Sequence, residues 1–216
     1  MKRAFLIMMA VVALLAGCIE RNKNVPFEEV NMGTVVRDTM IYGFCARGSD
    51  KSVLIIITDA GDTISLNVDQ AREDSLVKGS YAVGDELAVT VDADTAKATM
   101  VVNKSALYGN WVMPNPIDGS SYMGVSIQKG GTAESIDQSE MIYKSWRLFN
   151  GQLLLVLTRE DGIGRDETQR LTIQRLTRDS LIVTEDDDVY EYGRQRKEAE
   201  DKLDIELDDG TSDFFL

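Results

Sequence analysis

Short apolar segments, each ended by a turn signal, run through this sequence from residue 33 to residue 193. Strands need only about five or six residues, and segments spaced in this way by Gly, Asn and Asp are typical of antiparallel β-structure. A helical period is predicted only at residues 70–78 and at the start of the C-terminal tail. The sequence therefore predicts an all-β chain made of two small antiparallel β-barrels.

Residues 33–104 are predicted to form the first barrel. The strands are expected at residues 34–45, 53–58, 63–68, 86–91 and 98–102. Between the third and fourth of these, Asp69 is suited to cap the N-terminus of a short helix and Gly79 to follow its C-terminus. Three strands, a helix and two strands in this order resemble the OB-fold, a five-stranded barrel.

Residues 106–193 are predicted to form the second barrel, after a boundary at residues 103–106. Strands are expected at residues 107–112, 122–128, 132–136, 141–149, 152–158, 169–175, 180–184 and 189–192. Asn150-Gly151 is the strongest hairpin signal in the chain, because this pair favours the tight turn that matches strand twist. About eight short antiparallel strands in fewer than 90 residues fit an up-and-down barrel.

This second region resembles the lipocalin-like domains of bacterial lipoproteins of the Bacteroidetes type. The resemblance is carried by Gly109-Asn110-Trp111, the segment 131–136, the segment 143–146 and the hairpin 151–155. It implies an eight-stranded barrel that holds either its own side chains or one small ligand. We expect a packed interior, because large apolar residues are available to fill it: Trp111, Trp146, Leu153, Leu155 and Ile173.

The N-terminus has the features of an export signal. Lys2 and Arg3 precede an apolar run at residues 4–16, and that run is shorter than the roughly 20 residues of a bilayer span. The run ends in Leu-Ala-Gly-Cys, which resembles the lipobox of bacterial lipoproteins. The resemblance implies a signal peptide at residues 1–17, acylation of Cys18 and a flexible tether at residues 18–32. Ile19 after Cys18 resembles the pattern that permits sorting to the outer membrane.

The charge of the chain restricts its partners. The chain has 216 residues, with 23 basic and 36 acidic side chains and a net charge of -13. Without Lys2 and Arg3 the processed chain would carry a net charge near -15. Such a surface is repelled by nucleic acid and by anionic lipid headgroups. The membrane is therefore expected as a partner only through the lipid on Cys18, and no nucleic acid is expected.

The residue types present exclude several classes of enzyme. The chain has no histidine, which removes Ser-His-Asp and Cys-His nucleophilic systems and histidine-containing zinc sites. With Cys18 acylated, Cys45 would be a lone thiol in an apolar setting and is interpreted as a small buried hydrophobe. The acidic run 185–188 is interpreted as a solvated turn rather than a cation site.

No catalytic residue, metal site or cofactor is therefore predicted. The leading hypothesis is an outer-membrane lipoprotein that acts as a non-enzymatic binding or protein-interaction module. One alternative is a carrier of a small apolar ligand inside the second barrel. A carboxylate-dependent hydrolase is the lowest-ranked alternative, because the abundance of acidic residues leaves a catalytic carboxylate pair open without supporting one. Residues 194–216 are expected to form an acidic tail.

Overall fold

The computed structural model describes residues 29–31, 34–92, 96–117, 119–138, 140–160 and 164–195. The chain divides into two compact units, Met1–Asp38 and Thr39–Leu216. The predicted signal peptide at residues 1–17, the lipidation site Cys18 and the tail beyond residue 195 lie outside the described residues. No helix among the residues described is long and apolar enough to cross a membrane.

The described part of the first unit is a small hairpin. Strand β1 (Glu29–Asn31) pairs antiparallel with β2 (Thr34–Val36), with Val30 opposite Val35. The region predicted as a flexible tether therefore includes one short strand near its end. β-branched residues favour this extended pairing.

The second unit begins with a six-stranded sheet. Its elements are β3 (Ile41–Cys45), β4 (Val53–Thr58), β5 (Thr63–Asn67), α1 (Asp69–Glu73), β6 (Val77–Lys78), β7 (Glu86–Asp92) and β8 (Lys97–Asn103). The strand order is β5-β4-β3-β7-β8-β6. Strand β5 also pairs in parallel with β8 at Asn67 and Lys97, so the sheet curls back towards its own first edge. Leu54 and Ile56 are fully buried on its inner face.

The predicted helix at residues 70–78 is shorter in the structure, and the prediction is corrected there. Helix α1 ends at Glu73, Asp69 is its first residue rather than its cap, and no side chain caps its N-terminus. The chain then leaves the helix because Val77 and Lys78 pair in parallel with Val101 and Val102 of β8. Gly79, with a φ of +83°, follows this strand and not a helix.

An eight-stranded antiparallel barrel follows. Its elements are α2 (Lys104–Leu107), β9 (Gly109–Pro114), β10 (Tyr122–Ile127), β11 (Ala133–Ile136), β12 (Met141–Phe149), β13 (Gln152–Arg159), β14 (Asp166–Leu176), β15 (Ser180–Glu185) and β16 (Asp188–Arg194). The order is β11-β10-β9-β16-β15-β14-β13-β12. Neighbours in sequence are neighbours in the sheet, and β16 returns to β9, as an up-and-down barrel requires. The nearly all-β fold predicted from the sequence is confirmed.

The barrel is closed between β11 and β12 by a sparse set of hydrogen bonds. Thr132 and Ser145 form an isolated bridge, and the Trp146 amide donates to the Gly131 carbonyl at 2.8 Å. The Ser135 hydroxyl accepts from the Tyr143 amide at 2.8 Å and donates to the Met141 carbonyl at 2.6 Å. One side chain thus supplies hydrogen bonds that the strand ladder does not.

The two sheets of the second unit share a hydrophobic core. Met40, Ala88 and Val102 from the first sheet belong to the same buried cluster as the barrel interior. The Tyr42 hydroxyl donates to the Leu148 carbonyl at 2.9 Å. Helix α2 connects the sheets and is capped by Asn103, whose side chain accepts from the Ala106 amide. The domain limits 33–104 and 106–193 stay a prediction, and the described contacts show that the sheets are tightly joined.

Candidate functional site

The two ends of the eight-stranded barrel differ in what covers them. The antiparallel order places the turns at residues 128–132, 150–151 and 177–179 at one end, here called the closed end. At the opposite end, here called the open end, β9, β11, β13 and β15 end and β10, β12, β14 and β16 begin. Either end could hold a ligand, because ligand sites in small barrels lie at the mouth.

The closed end is filled by Trp111 and held by Arg194. Trp111 is fully buried, and its indole N–H donates to the Leu107 carbonyl at 2.7 Å. The Arg194 guanidinium lies 4.1 Å from the centre of the Trp111 ring, a cation–π distance. The same guanidinium donates to the carbonyls of Ala106, Tyr108 and Arg178 at 2.5–2.6 Å. It therefore joins the last strand of the barrel to α2 and to the turn between β14 and β15.

Gly109 is required for this arrangement. Its φ is +131°, and a Cβ atom built on it would lie 2.4 Å from Nη1 of Arg194. A side chain would strain the backbone and displace the guanidinium. The glycine of the Gly-x-Trp segment, which the sequence singled out, thus makes room for an arginine 85 residues later in the chain.

The first sheet covers the closed end. The Thr39 amide and hydroxyl both donate to Oδ1 of Asn150, at 2.9 and 3.0 Å. The Gly151 amide points at the Met40 sulfur at 3.2 Å. The Asn150-Gly151 turn therefore contacts the segment that leads into the first sheet, with Gly151 buried and Asn150 still exposed to solvent.

The middle of the barrel is packed, as the sequence predicted. All five residues expected to fill it are at most 5% exposed: Trp111, Trp146, Leu153, Leu155 and Ile173. Trp146 also donates from its indole N–H to the Gln128 carbonyl at 2.7 Å. This core leaves no room for a deep ligand, so any cavity must lie towards the open end.

A small, largely enclosed cavity of about 130 Å³ lies at the open end. It is formed by residues from six strands, β9, β10, β12, β13, β14 and β16, and from the connection between β11 and β12. Its walls combine thioethers, phenols and amides, with one guanidinium at the mouth. The lining residues are Met113, Met123, Gly124, Gln138, Met141, Tyr143, Arg159, Gln169, Tyr190 and Tyr192.

The cavity contains polar groups with incomplete hydrogen bonding. Gln138 donates from Nε2 to the Gly124 carbonyl at 2.7 Å, but its buried Oε1 has no partner among the residues described. The Tyr143 hydroxyl donates to Oε1 of Gln169 at a long 3.5 Å. Gln169 is itself held by a 2.7 Å hydrogen bond to the Glu185 carboxylate. Buried polar groups are normally paired, so the free Oε1 is an unused acceptor.

The tyrosines of the cavity are held in the protonated form. Burial raises the pKa of Tyr143 to about 12, with added repulsion from Tyr190 and Glu185. Burial likewise raises the pKa of Tyr192 and of Tyr190. These hydroxyls are protonated at neutral pH, so each has one hydrogen-bond donor for a ligand. The arrangement is suited to binding.

The other residues singled out from the sequence do not form a site. Cys45 is buried, at 3% exposure, as predicted, and is a free thiol. Glu185 and Asp188 flank the turn between β15 and β16, and Glu185 accepts the hydrogen bond from Gln169. In the described ranges no group of three or more acidic or thiol side chains is placed to hold a metal ion.

Sequence reasoning missed Arg194 and Gln138. Arg194 was assigned to the acidic tail, but it is the last residue of β16. Its role depends on contact with a tryptophan that is distant in sequence, which no local pattern signals. Gln138 lies in a connection without a motif and acquires its role only because Gly124 is adjacent in space.

Comparison with known proteins agrees with the barrel. Residues 103–195 match the family model described as lipocalin-like. A similar solved structure is that of a lipocalin-like protein from Bacteroides thetaiotaomicron, which is 26% identical and covers 42% of this chain and 97% of its own, with a TM-score of 0.38. No curated relative matches the chain. The predicted lipocalin-like region is therefore confirmed, and the family match does not extend over the first sheet.

Proposed function

We propose that this protein is a lipid-anchored module of a bacterial envelope that binds a small ligand at the open end of its lipocalin-like barrel. It is proposed to act without catalysis. The family match at residues 103–195 supports a binding role. The enclosed cavity with its unpaired Gln138 Oε1 is the single observation that carries the proposal.

The size of the cavity limits what enters it. A volume of about 130 Å³ equals the liquid volume of about four water molecules. A ligand of this size, or one small group of a longer molecule, would fill it. The mouth is near Arg159, which is exposed, so a longer ligand would extend into solvent there.

The lining determines the chemistry of the ligand. Met113, Met123 and Met141 provide polarisable, adaptable apolar contacts. The Gln138 Oε1 atom is a buried acceptor, and leaving such an atom unpaired costs about 1–3 kcal/mol. We therefore propose a ligand with a small apolar body and one N–H or O–H donor, rather than a purely apolar molecule.

A protein-interaction role is the second candidate, and the rim of the open end favours it. Four large hydrophobic residues there are at least half exposed: Ile117, Tyr122, Ile142 and Val189. Exposed apolar groups gathered on one surface mark interaction sites more often than isolated ones do. A partner on this rim would also cover the mouth of the cavity.

The first sheet is proposed to be an OB-like barrel. Its five longer strands, the helix after the third and the parallel β5–β8 closure support this assignment. We propose that it serves as a support for the lipocalin-like barrel and not as a nucleic-acid site, because the chain is strongly acidic. The hydrolase alternative stays a prediction: the carboxylates of Glu86, Asp166 and Glu167 are engaged in ion pairs.

Native mass spectrometry tests the ligand proposal. The protein is released gently from its own envelope with its lipid intact and sprayed from a mild detergent. We expect an added mass that is lost on denaturation and is absent from a Met123→Trp variant, whose larger side chain fills the cavity. A Val83→Trp variant, altered at an exposed position of the first sheet, is the matched control and should retain the mass.

The outcomes separate the two candidates. A ligand mass that Met123→Trp retains would place binding outside the cavity and overturn the ligand proposal. A bare monomer would count against both candidates under these conditions. A second protein chain in the spectrum would favour the interaction role, and Tyr122→Ser should then weaken the complex.

The anchor is tested by a separate substitution. Cys18→Ser removes the thiol that the proposed lipid would modify. We expect the variant to appear in soluble fractions or to remain as an uncleaved precursor. Processing and membrane association equal to those of the unaltered chain would show that the lipobox interpretation is wrong.

A further inference from the structure

A groove lined by cations lies between the first sheet and the barrel, away from the open end. Its volume is about 390 Å³, and it is formed by α1, β6 and the last residues of β14. Three of its residues are basic and none is acidic, although the chain as a whole has a net charge of -13. The lining residues are Arg72, Ser75, Val77, Lys78, Gly79, Ser80, Gln174, Arg175 and Leu176.

Lys78 is the central group of this groove. It is only 8% exposed, and burial lowers the pKa of its ammonium group. Its single hydrogen bond in the described part of the chain runs from Nζ to the Gln174 carbonyl at 2.8 Å. No carboxylate lies within ion-pair distance of it among these residues. Buried charges are normally paired, so the ammonium group has two donors and a charge without a counterpart.

The side chains of the two arginines in the groove, Arg72 and Arg175, differ in their contacts. Arg72 lies over the Tyr81 ring at 5.3 Å and donates to the Tyr81 hydroxyl at 2.9 Å, which fixes its plane and leaves further N–H groups. Arg175 is exposed, and its side chain makes no hydrogen bond or ion pair with the residues described, although its backbone pairs with Ile182. Acidic residues flank the groove on α1, where Asp69 and Glu73 lie on the same helix as Arg72. Asp69 accepts from Nδ2 of Asn67 at 2.9 Å, and Asp74 accepts from Nε2 of Gln70 at 2.9 Å.

The backbone holds these groups in place. The register of β14 against β15 shifts between Ile173 and Arg175, which leaves Gln174 as the extra residue of a β-bulge. Bulges redirect side chains and backbone groups, and here the Gln174 carbonyl meets Lys78. The Gly79 amide donates to the Leu176 carbonyl at 3.2 Å. The groove walls are thus joined to each other by hydrogen bonds.

We propose that this groove binds a phosphate group of a small ligand, with Lys78, Arg72 and Arg175 as the binding residues. Two guanidinium groups, an ammonium group and the hydroxyls of Ser75 and Ser80 offer more donors than the two oxygens of a carboxylate can accept. A phosphate presents three oxygens and a charge near -2. Arginine forks match that geometry. The site is separate from the open-end cavity.

Isothermal titration of the full-length, membrane-extracted protein with inorganic phosphate, in a phosphate-free buffer at low salt, tests the proposal. We expect saturable binding. Arg175→Gln should weaken it by about tenfold, because charge-assisted hydrogen bonds to phosphate are among the stronger polar contacts. Lys78→Met, which keeps the buried stem, should remove it. Arg47→Gln, an exposed cation outside the groove, carries the same charge change and should bind normally.

Two further arms identify the source of the phosphate. Glycerol 3-phosphate should bind at least as tightly as inorganic phosphate if a soluble phosphomonoester is the ligand. Sedimentation with vesicles of phosphatidylglycerol, compared with phosphatidylcholine, measures whether a lipid headgroup is accepted, with Arg175→Gln as the test of the site. In both experiments the phosphate group is expected to contact Lys78, Arg72 and Arg175.

The proposal is overturned if millimolar phosphate or glycerol 3-phosphate gives neither a heat of binding in the titration nor broadening of the ligand's line in the phosphorus NMR spectrum. The proposal is also overturned if Arg175→Gln and the double variant Arg72→Gln, Arg175→Gln both bind phosphate as tightly as the unaltered chain. Because Arg175 is exposed, these variants are expected to fold, and circular dichroism checks this independently of Lys78→Met.

Discussion

The closed end and the open end of the same barrel use the same eight strands in different ways. At the closed end, Trp111, Arg194 and the Asn150-Gly151 turn are all engaged with neighbouring elements. At the open end, an enclosed cavity remains, and the Gln138 Oε1 atom has no partner in the described part of the chain. The side chains of the closed end are used for contacts within the protein, whereas the open end keeps a polar group that a ligand could pair.

The difference shows how a small barrel can be both stable and able to bind. An eight-stranded barrel is only just wide enough for its own side chains. Packing one end and covering it with a second sheet provides stability, so the other end can retain incompletely paired groups. Sites of this kind are expected where local stability is lower.

The largest expected effect is at the closed end. Trp111→Ala removes a fully buried indole together with its hydrogen bond and the ring beneath Arg194. We expect the free energy of unfolding to fall by about 3–5 kcal/mol, measured by urea denaturation followed by circular dichroism. A loss under about 1 kcal/mol, typical of surface substitutions, would mean that the closed end does not stabilise the barrel as described.

A smaller effect is expected where the first sheet meets the closed end. Glu86 accepts from the Tyr108 hydroxyl at 2.5 Å and pairs with Lys129 at 2.6 Å and Lys104 at 3.7 Å. Burial by itself would raise the pKa of the Glu86 carboxyl. The hydrogen bonds from Lys129 and Tyr108 and the charges of Lys104 and Lys129 have the opposite effect and are larger together, so the pKa is lowered. Glu86→Gln should cost about 1–2 kcal/mol at pH 7, since Lys129 is largely exposed.

The same contact predicts a pH dependence. A carboxylate whose pKa is lowered by folding contributes its stability above its unfolded pKa, about 4.3, and loses it as the pH falls through the lower folded pKa. The difference in unfolding free energy between the unaltered chain and Glu86→Gln should therefore shrink below about pH 4. Urea titrations at several pH values measure it, with the exposed Glu134→Gln as control. A constant difference would contradict the ion-pair account.

The smallest effect on stability is expected at the open end. Gln138→Leu loses the hydrogen bond to the Gly124 carbonyl but also removes the unpaired Oε1 atom. These two terms oppose each other, and we expect a net change within about 1 kcal/mol. The same variant should lose the ligand mass in native mass spectrometry. A large loss of stability instead would show that the open end is as tightly built as the closed end.

The strands could be predicted from the sequence because their signals are local. The 53–58 strand and the Asn150-Gly151 hairpin occur where the β-branched run and the turn pair placed them. The helix after β5 was predicted too long, because pairing of Val77 and Lys78 with β8 overrides helical propensity. The core residues were found because they are large apolar side chains within predicted strands, where one face must be buried.

The sites could be predicted only in part. The sequence pointed to a small barrel interior, to Trp111 and to Gly109, each by residue type and spacing. It gave no signal for Gln138 or Arg194, or for a groove that joins Lys78 of the first sheet to Arg175 of the barrel. These residues are distant along the chain, and their chemistry arises from being adjacent in space.

By itself, the sequence determined the all-β class, most of the strands, the acidic charge and the exclusion of histidine chemistry. It predicted one strand at residues 34–45, where the structure has β2 (Thr34–Val36) and β3 (Ile41–Cys45) in different sheets. Strand periodicity and composition are properties of neighbouring residues, so they can be read without a fold. The tertiary structure decided which barrel end is packed, which acceptor stays unpaired and which cations share one groove. Those features depend on long-range contacts between strands, because burial and charge pairing are set only when distant segments meet.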